Sequence, residues 1–363
     1  MQDEVIAFLQ SGGWQPVGGS LEVVQTHGAL IFLSENTALK IKRAVQYDYM
    51  DFSTLDRRAA MLRRELDLNK PSAPQIYRDV IPVTLGADGQ LALDGDGVPV
   101  EWVLRMSRFP KNDELSVLAD AGGIDDTLAN NLGTSIFEYH AQVPRHQADG
   151  AKLIRDILDE LDRVFADMTA PLGASLIDHF HQESRAMLTH VGAQLRRRAN
   201  TGHVRRCHGD LHLGNLVLLD GKPVPFDALE FDEALGTCDV LYDLAFLIMD
   251  VLHRDLHCAA NIALNAYLLA AKGDEDDGLA ALPLFLAIRA AIRAMVSVQT
   301  ATAKGEAPGV DGGQFLTDAV GYLSPSVPSL VLVGGLSGTG KTGVARALAP
   351  SIGAPPWSGA FAH

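Results

Sequence analysis

The stretch Cys207-His-Gly-Asp-Leu-His-Leu-Gly-Asn-Leu-Val-Leu-Leu-Asp-Gly-Lys-Pro-Val-Pro-Phe-Asp-Ala-Leu-Glu-Phe231 decides how the rest of the chain is read. Leu216–Leu219 and Pro223–Phe226 are apolar runs joined by the tight-turn dipeptide Asp220-Gly221, so the pattern predicts a β-hairpin. Polar groups collect at both of its mouths: His208, Asp210, His212 and Asn215 before it, Asp227 and Glu230 after it. Such a hairpin carries Asp210, Asn215 and Asp227 into one small volume. Two carboxylates and a carboxamide there make a hard, oxygen-rich cradle, the donor set for Mg²⁺ held together with a phosphate chain.

A transition-metal site on His208, Asp210 and His212 competes with that reading, because alternate residues of an extended segment share a face. No further His or Cys pair stands at a useful spacing nearby, however, and the metal reading leaves the hairpin and Asp227 unexplained. A polar surface turn fits less well still, since the flanking runs are too apolar to be solvated.

The run His208-Gly-Asp-Leu-His-Leu-Gly-Asn215, followed by Phe226-Asp227 and then Asp239-Val-Leu-Tyr-Asp243-Leu-Ala, resembles the signature of aminoglycoside-phosphotransferase-like small-molecule kinases, which share the protein-kinase fold. The resemblance implies an α+β, two-lobed chain: an antiparallel N-lobe over residues 1–105 and a mainly helical C-lobe over 106–302. It implies ATP and Mg²⁺ as cofactors and a small-molecule hydroxyl as phosphate acceptor. It assigns Asp210 as base or orienter of that hydroxyl, with His208 beside it, and Asn215 and Asp227 as Mg²⁺ ligands. Asp239 or Asp243 then braces the loop from the following helix.

The N-terminal third has the matching order. Residues 2–10 predict a helix stopped by Gly12-Gly13, and Ser20–Thr26, Ala29–Leu33 and Ala38–Arg43 predict strands separated by turns at His27-Gly28 and Glu35-Asn36. Lys40 and Lys42 share one face of the third strand. A helix follows from about Thr54, capped by Ser53 or Thr54 and ended before Pro71, and it carries Glu65. By the resemblance a lysine of the third strand reaches the α- and β-phosphates and is held by Glu65; Lys40 is favoured over Lys42 because it lies nearer the strand's middle. The alternative is two solvated lysines on an exposed sheet face. The first hairpin lacks the glycine-rich phosphate loop of protein kinases, with Thr26, His27 and Gly28 in its place. Val80–Leu85, Leu91–Leu93 and Val98–Met106 complete a sheet of about five strands. Glu101–Phe109 is the hinge, and Met106 and Phe109 are candidates either to flank adenine or to fill core.

From Asp125 the spacing is helical: 127–142, 152–167, 175–198, 240–253, 255–271 and 282–302. Arg196-Arg197-Arg198 is expected to be a solvated helix end that complements the macrodipole. Asp232, Glu233, Arg289 and Arg293 are candidates to touch the acceptor, and a paired structural role for the two arginines is an equal alternative. Residues 303–328, rich in Gly, Pro and Ser, read as a linker with a short helix near 314–323. An apolar run then leads into Gly335-x-x-x-x-Gly340-Lys341-Thr342, a Walker A pattern in which Lys341 and Thr342 would meet phosphate and Mg²⁺. With no second strand or Walker B aspartate after it, residues 329–363 read as a truncated P-loop fragment, and the order of parts resembles bacterial two-domain fusions.

Composition narrows the partners. A net charge of −15 argues against a general nucleic-acid binder. Cys207, Cys238 and Cys258 show no paired spacing, which points to reduced thiols and a cytoplasmic location. Cys207 is expected to be a small buried hydrophobe before a reactive thiol. No signal peptide is indicated, and Arg289 and Arg293 interrupt the most apolar stretch, so no membrane span is expected. The oligomeric state is not legible. A nucleotide-binding pseudo-kinase and a P-loop enzyme with an accessory kinase-like part are the remaining readings.

Overall fold

The computed structural model describes residues 1–14, 21–26, 28–47, 50–306, 310–324 and 329–355. His27 of the first expected turn and parts of the expected linker lie outside them. The chain divides into two compact units, Met1–Glu114 with Val224–Gly236, and Leu115–Pro223 with Thr237–His363.

In the first unit six antiparallel strands form one sheet, one more than expected. Its order is Glu22–Gln25, Ala29–Leu33, Thr37–Lys42, Val98–Ser107, Tyr77–Leu85, Leu91–Leu93. Strand alternation then sorts the side chains by face. Leu39 and Ile41 enter an apolar cluster with Leu30, Phe32, Ile81, Val83 and Val103, sealed by Val5 and Leu9 of the helix Gln2–Gln10. Lys40 and Lys42 take the opposite face. The helix Leu55–Asn69 begins where Thr54 accepts the amide of Arg57 as its N-cap. Arg58 on this helix pairs with Glu101 of the sheet at 2.9 Å, and Gln2 donates to the same carboxylate. This fixes the helix over the strands and orients Glu65 toward the lysine face.

The second unit is helical. Its long members are Asp126–Gln142, Gly150–Phe165, Ala174–Asn200, Val240–His253, His257–Ala271, Leu282–Lys304 and Val310–Leu323. Asp125, Asp149 and Asp239 cap three of them through their side chains. The stretch Asp276–Lys304 is long and apolar enough to cross a membrane by composition, yet Leu284, Phe285, Ile288 and Ala291 on it belong to the unit's own core. Leu216–Leu219 and Lys222–Pro225 form the expected two-stranded sheet, with Asp220 and Gly221 both at positive φ, as a type I′ turn requires.

Two expectations are corrected. Arg198 is not part of a solvated helix end: it is fully buried, with Asp239 at 2.8 Å, Glu275 at 2.5 Å and Asp277 at 2.6 Å. A fixed cation there neutralises three acids that approach from distant parts of the sequence, which local helix pattern does not encode. Nor is Ser329–Gly334 a strand. Leu330 and Leu332 are 83% and 80% exposed, and no described residue pairs with their backbone. A strand exists only with a neighbour to satisfy its amides and carbonyls. The helix Lys341–Ile352 does form after Gly340, and Lys341 Nζ donates to the Leu336 carbonyl at 2.6 Å.

Candidate active site

The lysine face of the first unit carries a continuous ionic chain. Glu65 receives Lys40 on Oε1 at 2.7 Å and Lys42 on Oε2 at 2.6 Å. Lys40 also reaches Asp227 Oδ1 at 2.7 Å, and Lys42 reaches Glu230 Oε1 at 2.5 Å. Both lysines are buried, so the solvated-face alternative fails for each. Both occupy Glu65, so contact with that residue does not choose between them; contact with Asp227 separates Lys40 from Lys42. Burial works against the Lys40 ammonium, but the charges of Asp227, Glu65 and Glu230 more than offset it and raise its pKa well above the ordinary lysine value.

Asp227 stands at φ 61°, in the left-handed region that a non-glycine residue enters at a cost. Its neighbours hold it there. The Asp227 amide donates to the Tyr77 hydroxyl at 2.9 Å, and the Ala228 amide donates to Asn69 Oδ1 at 2.9 Å. Burial, followed by the charge of Asp227, lifts the Tyr77 hydroxyl well above its usual range, so Tyr77 stays a neutral acceptor here. Phe226, one residue earlier, meets Phe109 edge-on at 5.0 Å, while Met106 is buried opposite Tyr77 and Ala38.

The loop His208–Asn215 belongs to the second unit, and the helix Val240–His253 organises it. Asp243 accepts the amides of His208 at 3.0 Å and Gly209 at 2.9 Å, and Asp250 accepts that of Leu213 at 2.9 Å. His140 fixes Asp243 from behind, with Nε2 at 3.1 Å, and its other ring nitrogen meets the Tyr267 hydroxyl at 2.9 Å. Burial pushes the Asp243 carboxyl up, but the His140 hydrogen bond and the charges of His140, His208 and Arg289 prevail and lower it to about 2. Asp243 is therefore the loop brace. Asp239 instead caps the helix through the Leu241 amide and holds Arg198.

Asp210 faces outward, its side chain 43% exposed. Asn215 Nδ2 donates to the Asp210 carbonyl at 2.8 Å and to its carboxylate at 3.0 Å. His212 Nε2 lies 3.5 Å from the same carboxylate, and His212 Nδ1 accepts the Gly214 amide. Burial raises the Asp210 carboxyl, yet His212, His208 and Arg289 together bring it below the ordinary value, so at neutral pH it is an ionised acceptor. His208 Nδ1 lies 3.4 Å from the Asp210 amide and His212 Nδ1 accepts the Gly214 amide, so both Nδ1 atoms are taken up by the loop's own backbone, which disfavours the transition-metal reading of His208-x-Asp210-x-His212.

The four acceptor candidates have other partners. Arg289 is buried: Nη1 donates to the Gly209 carbonyl at 3.1 Å, Nε donates to the Tyr242 carbonyl, and the guanidinium lies over the Tyr242 ring at 3.9 Å. It holds the loop and is not placed to touch a ligand. Arg293 lies over Phe315, Glu233 pairs with Arg64, and Asp232 caps the short turn that follows it. Cys207 is buried with its thiol pushed up, as befits a core side chain. Tyr77, Asn69 and His140 carry no motif in the sequence, and only their contacts show their part.

The chemistry of this donor set fits Mg²⁺. Three carboxylates, Glu65, Asp227 and Glu230, face two ammonium groups, which leaves one negative charge for a cation to neutralise. In the loop of the second unit, the Asn215 amide nitrogen is turned toward Asp210, which leaves its Oδ1 as an oxygen acceptor.

No family model matches the chain. Uncharacterized proteins of Mycobacterium tuberculosis and Mycobacterium bovis are 27% identical to it over 350 residues, covering 92% of this chain. The chain spans 66% of the length of these curated relatives. Among solved structures it is similar to the GDP complex of wild-type aminoglycoside 2'-phosphotransferase-IIIa, at 13% identity, TM-score 0.52, 88% of this chain and 99% of that one. It is also similar to choline kinase LicA from Streptococcus pneumoniae, at 12% identity, TM-score 0.51, 89% of this chain and 99% of that one. The fold, an antiparallel sheet unit and a helical unit, is therefore protein-kinase-like, the fold of these small-molecule phosphotransferases.

Proposed function

We propose that the chain is an ATP- and Mg²⁺-dependent phosphotransferase acting on a hydroxyl of a small molecule of the aminoglycoside, sugar or amino-alcohol class. The observation that carries this is the Lys40–Glu65 pair with Asp227 at 2.7 Å from the same ammonium, the lysine–glutamate–aspartate set that phosphoryl transfer uses. Lys40 binds and orients the α- and β-phosphates, with Glu65 keeping the ammonium in place. Asp227 and Asn215 hold Mg²⁺, which when bound neutralises phosphate charge. Asp210 Oδ accepts the hydrogen bond of the acceptor hydroxyl and takes its proton. Met106 and Phe109 border the base.

The three cysteines are free, which supports a reducing, cytoplasmic setting. The net charge of −15 favours a cationic acceptor. Among the described residues no strand pairs with the segment before Gly335–Thr342, so we assign phosphoryl transfer to the Lys40 site.

The test is Mg²⁺-dependent ATP turnover against aminoglycosides, choline, ethanolamine and sugars, with Asp210→Ala as control. Turnover on one acceptor, reduced roughly 10²–10⁴-fold in kcat by the substitution, is expected for a positioned acid–base group. ATP binding without turnover on any acceptor would favour a regulatory pseudo-kinase instead.

A further inference from the structure

Phosphoryl transfer as described uses Lys40 and leaves Lys42 and Glu230 without a task. Lys42 lies at the end of its strand, where a lysine ordinarily reaches solvent, but it is 2% exposed and cannot meet a nucleotide directly. Its ammonium bridges the second oxygen of Glu65 and the carboxylate of Glu230. Glu230 stands three residues after Asp227 in Asp227-Ala-Leu-Glu230. The contacts thus run Asp227, Lys40, Glu65, Lys42, Glu230, and the backbone from 227 to 230 closes them into a ring.

The two arms of that ring differ in one respect. Lys40 must share its donors with phosphate when a nucleotide enters, so its hold on Asp227 and Glu65 is conditional. Lys42 meets no ligand, so its hold on Glu65 and Glu230 is the same with and without nucleotide. Without Lys42, the buried carboxylates of Glu65 and Glu230 would be left without their shared cation, and the segment bearing Asp227 would lose its ionic anchor to the strand.

We propose that Lys42 and Glu230 are a positioning pair that keeps Asp227 and Glu65 in place while Lys40 turns to the phosphates. This rests on the phosphotransferase reading. The pair acts through Asp227 and, by way of Glu65, through Lys40, so its loss weakens ATP binding most when Mg²⁺ is present, where Asp227 takes part, and less when it is absent.

The experiment is calorimetric titration of the full chain with ATP, with and without Mg²⁺, for wild type, Lys42→Met, Glu230→Gln, the double variant and Lys42→Arg, each checked for a cooperative thermal transition. Each of the first two single variants is expected to weaken Mg²⁺-dependent binding about tenfold, the double variant little more than either, and Lys42→Arg to recover most of the loss. Glu230→Gln changes no volume and serves where Lys42→Met does not fold. Folded single variants that bind Mg·ATP as wild type does would overturn the pair, as would losses that simply multiply in the double variant. A wild-type chain that binds no Mg·ATP overturns the phosphotransferase reading itself, and the pair with it; that result is told apart because it needs no variant.

Discussion

Arg289 shows how the surroundings of a residue in sequence can leave its part open. Arg289-Ala-Ala-Ile-Arg293 places two cations a turn apart on one helix face, which suits contact with an acceptor and a paired structural role equally. In the folded chain Arg289 instead clamps the Gly209 carbonyl and lies 3.6 Å from Asp243, so its charge bears on the loop from below. The consequence is a pH effect. Burial raises the Asp210 carboxyl, and Arg289 is one of the cations that bring it below the ordinary value. Removing that cation raises the Asp210 pKa, so the ionised, proton-accepting form is reached only at higher pH. Arg289→Met should therefore move the acidic limb of the kcat/KM profile upward and lower the plateau by up to about 10²-fold through misplacement of the loop. An acidic limb that stays in place would show that the charge is not felt at Asp210.

At the scale of elements, what could be read from the sequence and what could not divide along a physical line. The helix Leu55–Asn69, the hairpin about Asp220-Gly221 and the helix Val240–His253 are written in periodicity, caps and turn residues, which act within a few positions. Thr54 illustrates the strength of such signals: Thr54→Ala deletes the N-cap bond to the Arg57 amide and should cost about 1 kcal/mol, read as a lower denaturation midpoint without a changed slope. The Walker A pattern was legible too, but the strand expected before it was not formed, because strand pairing depends on neighbours. Partnerships over long separations were hidden for the same reason. Lys42 with Glu230, Arg198 with Glu275 and Asp243 with His140 join residues that no local pattern connects. Glu65 shows what such a partnership is worth. Glu65→Ala leaves two buried ammonium groups without their common carboxylate, so a loss of about 3–5 kcal/mol is expected, far above the cost of an ordinary surface substitution. A loss under 1 kcal/mol in chemical denaturation would mean that the lysines find water.

For the molecule as a whole, the buried carboxylates set its response to acid. Glu275 is pushed up by burial, but the hydrogen bond from His203 and the charge of Arg198 lower it to about 2, and Asp243 is lowered to about 2 as well. In the unfolded chain both titrate near the ordinary carboxylate values of about 4. Between about pH 4 and pH 2 the unfolded state therefore binds more protons than the native state, so stability rises with pH there and falls as the solution is acidified. Above about pH 5 both contributions are fully present. Each amounts to about 2–3 kcal/mol, from a shift of about two units at 1.36 kcal/mol per unit. Both groups lie in the helical unit, Glu275 on the Arg198 network and Asp243 beneath the loop His208–Asn215. Urea unfolding followed by circular dichroism at pH 7, 5, 4 and 2.5 should thus show stability nearly level down to pH 5 and then dropping steeply. Glu275→Gln should be less stable than wild type at pH 7 and lose less of its stability on acidification. Because that variant still carries Asp243, roughly half of the acid sensitivity contributed by the two groups should remain, and parallel curves for variant and wild type would show that Glu275 titrates normally in the folded chain.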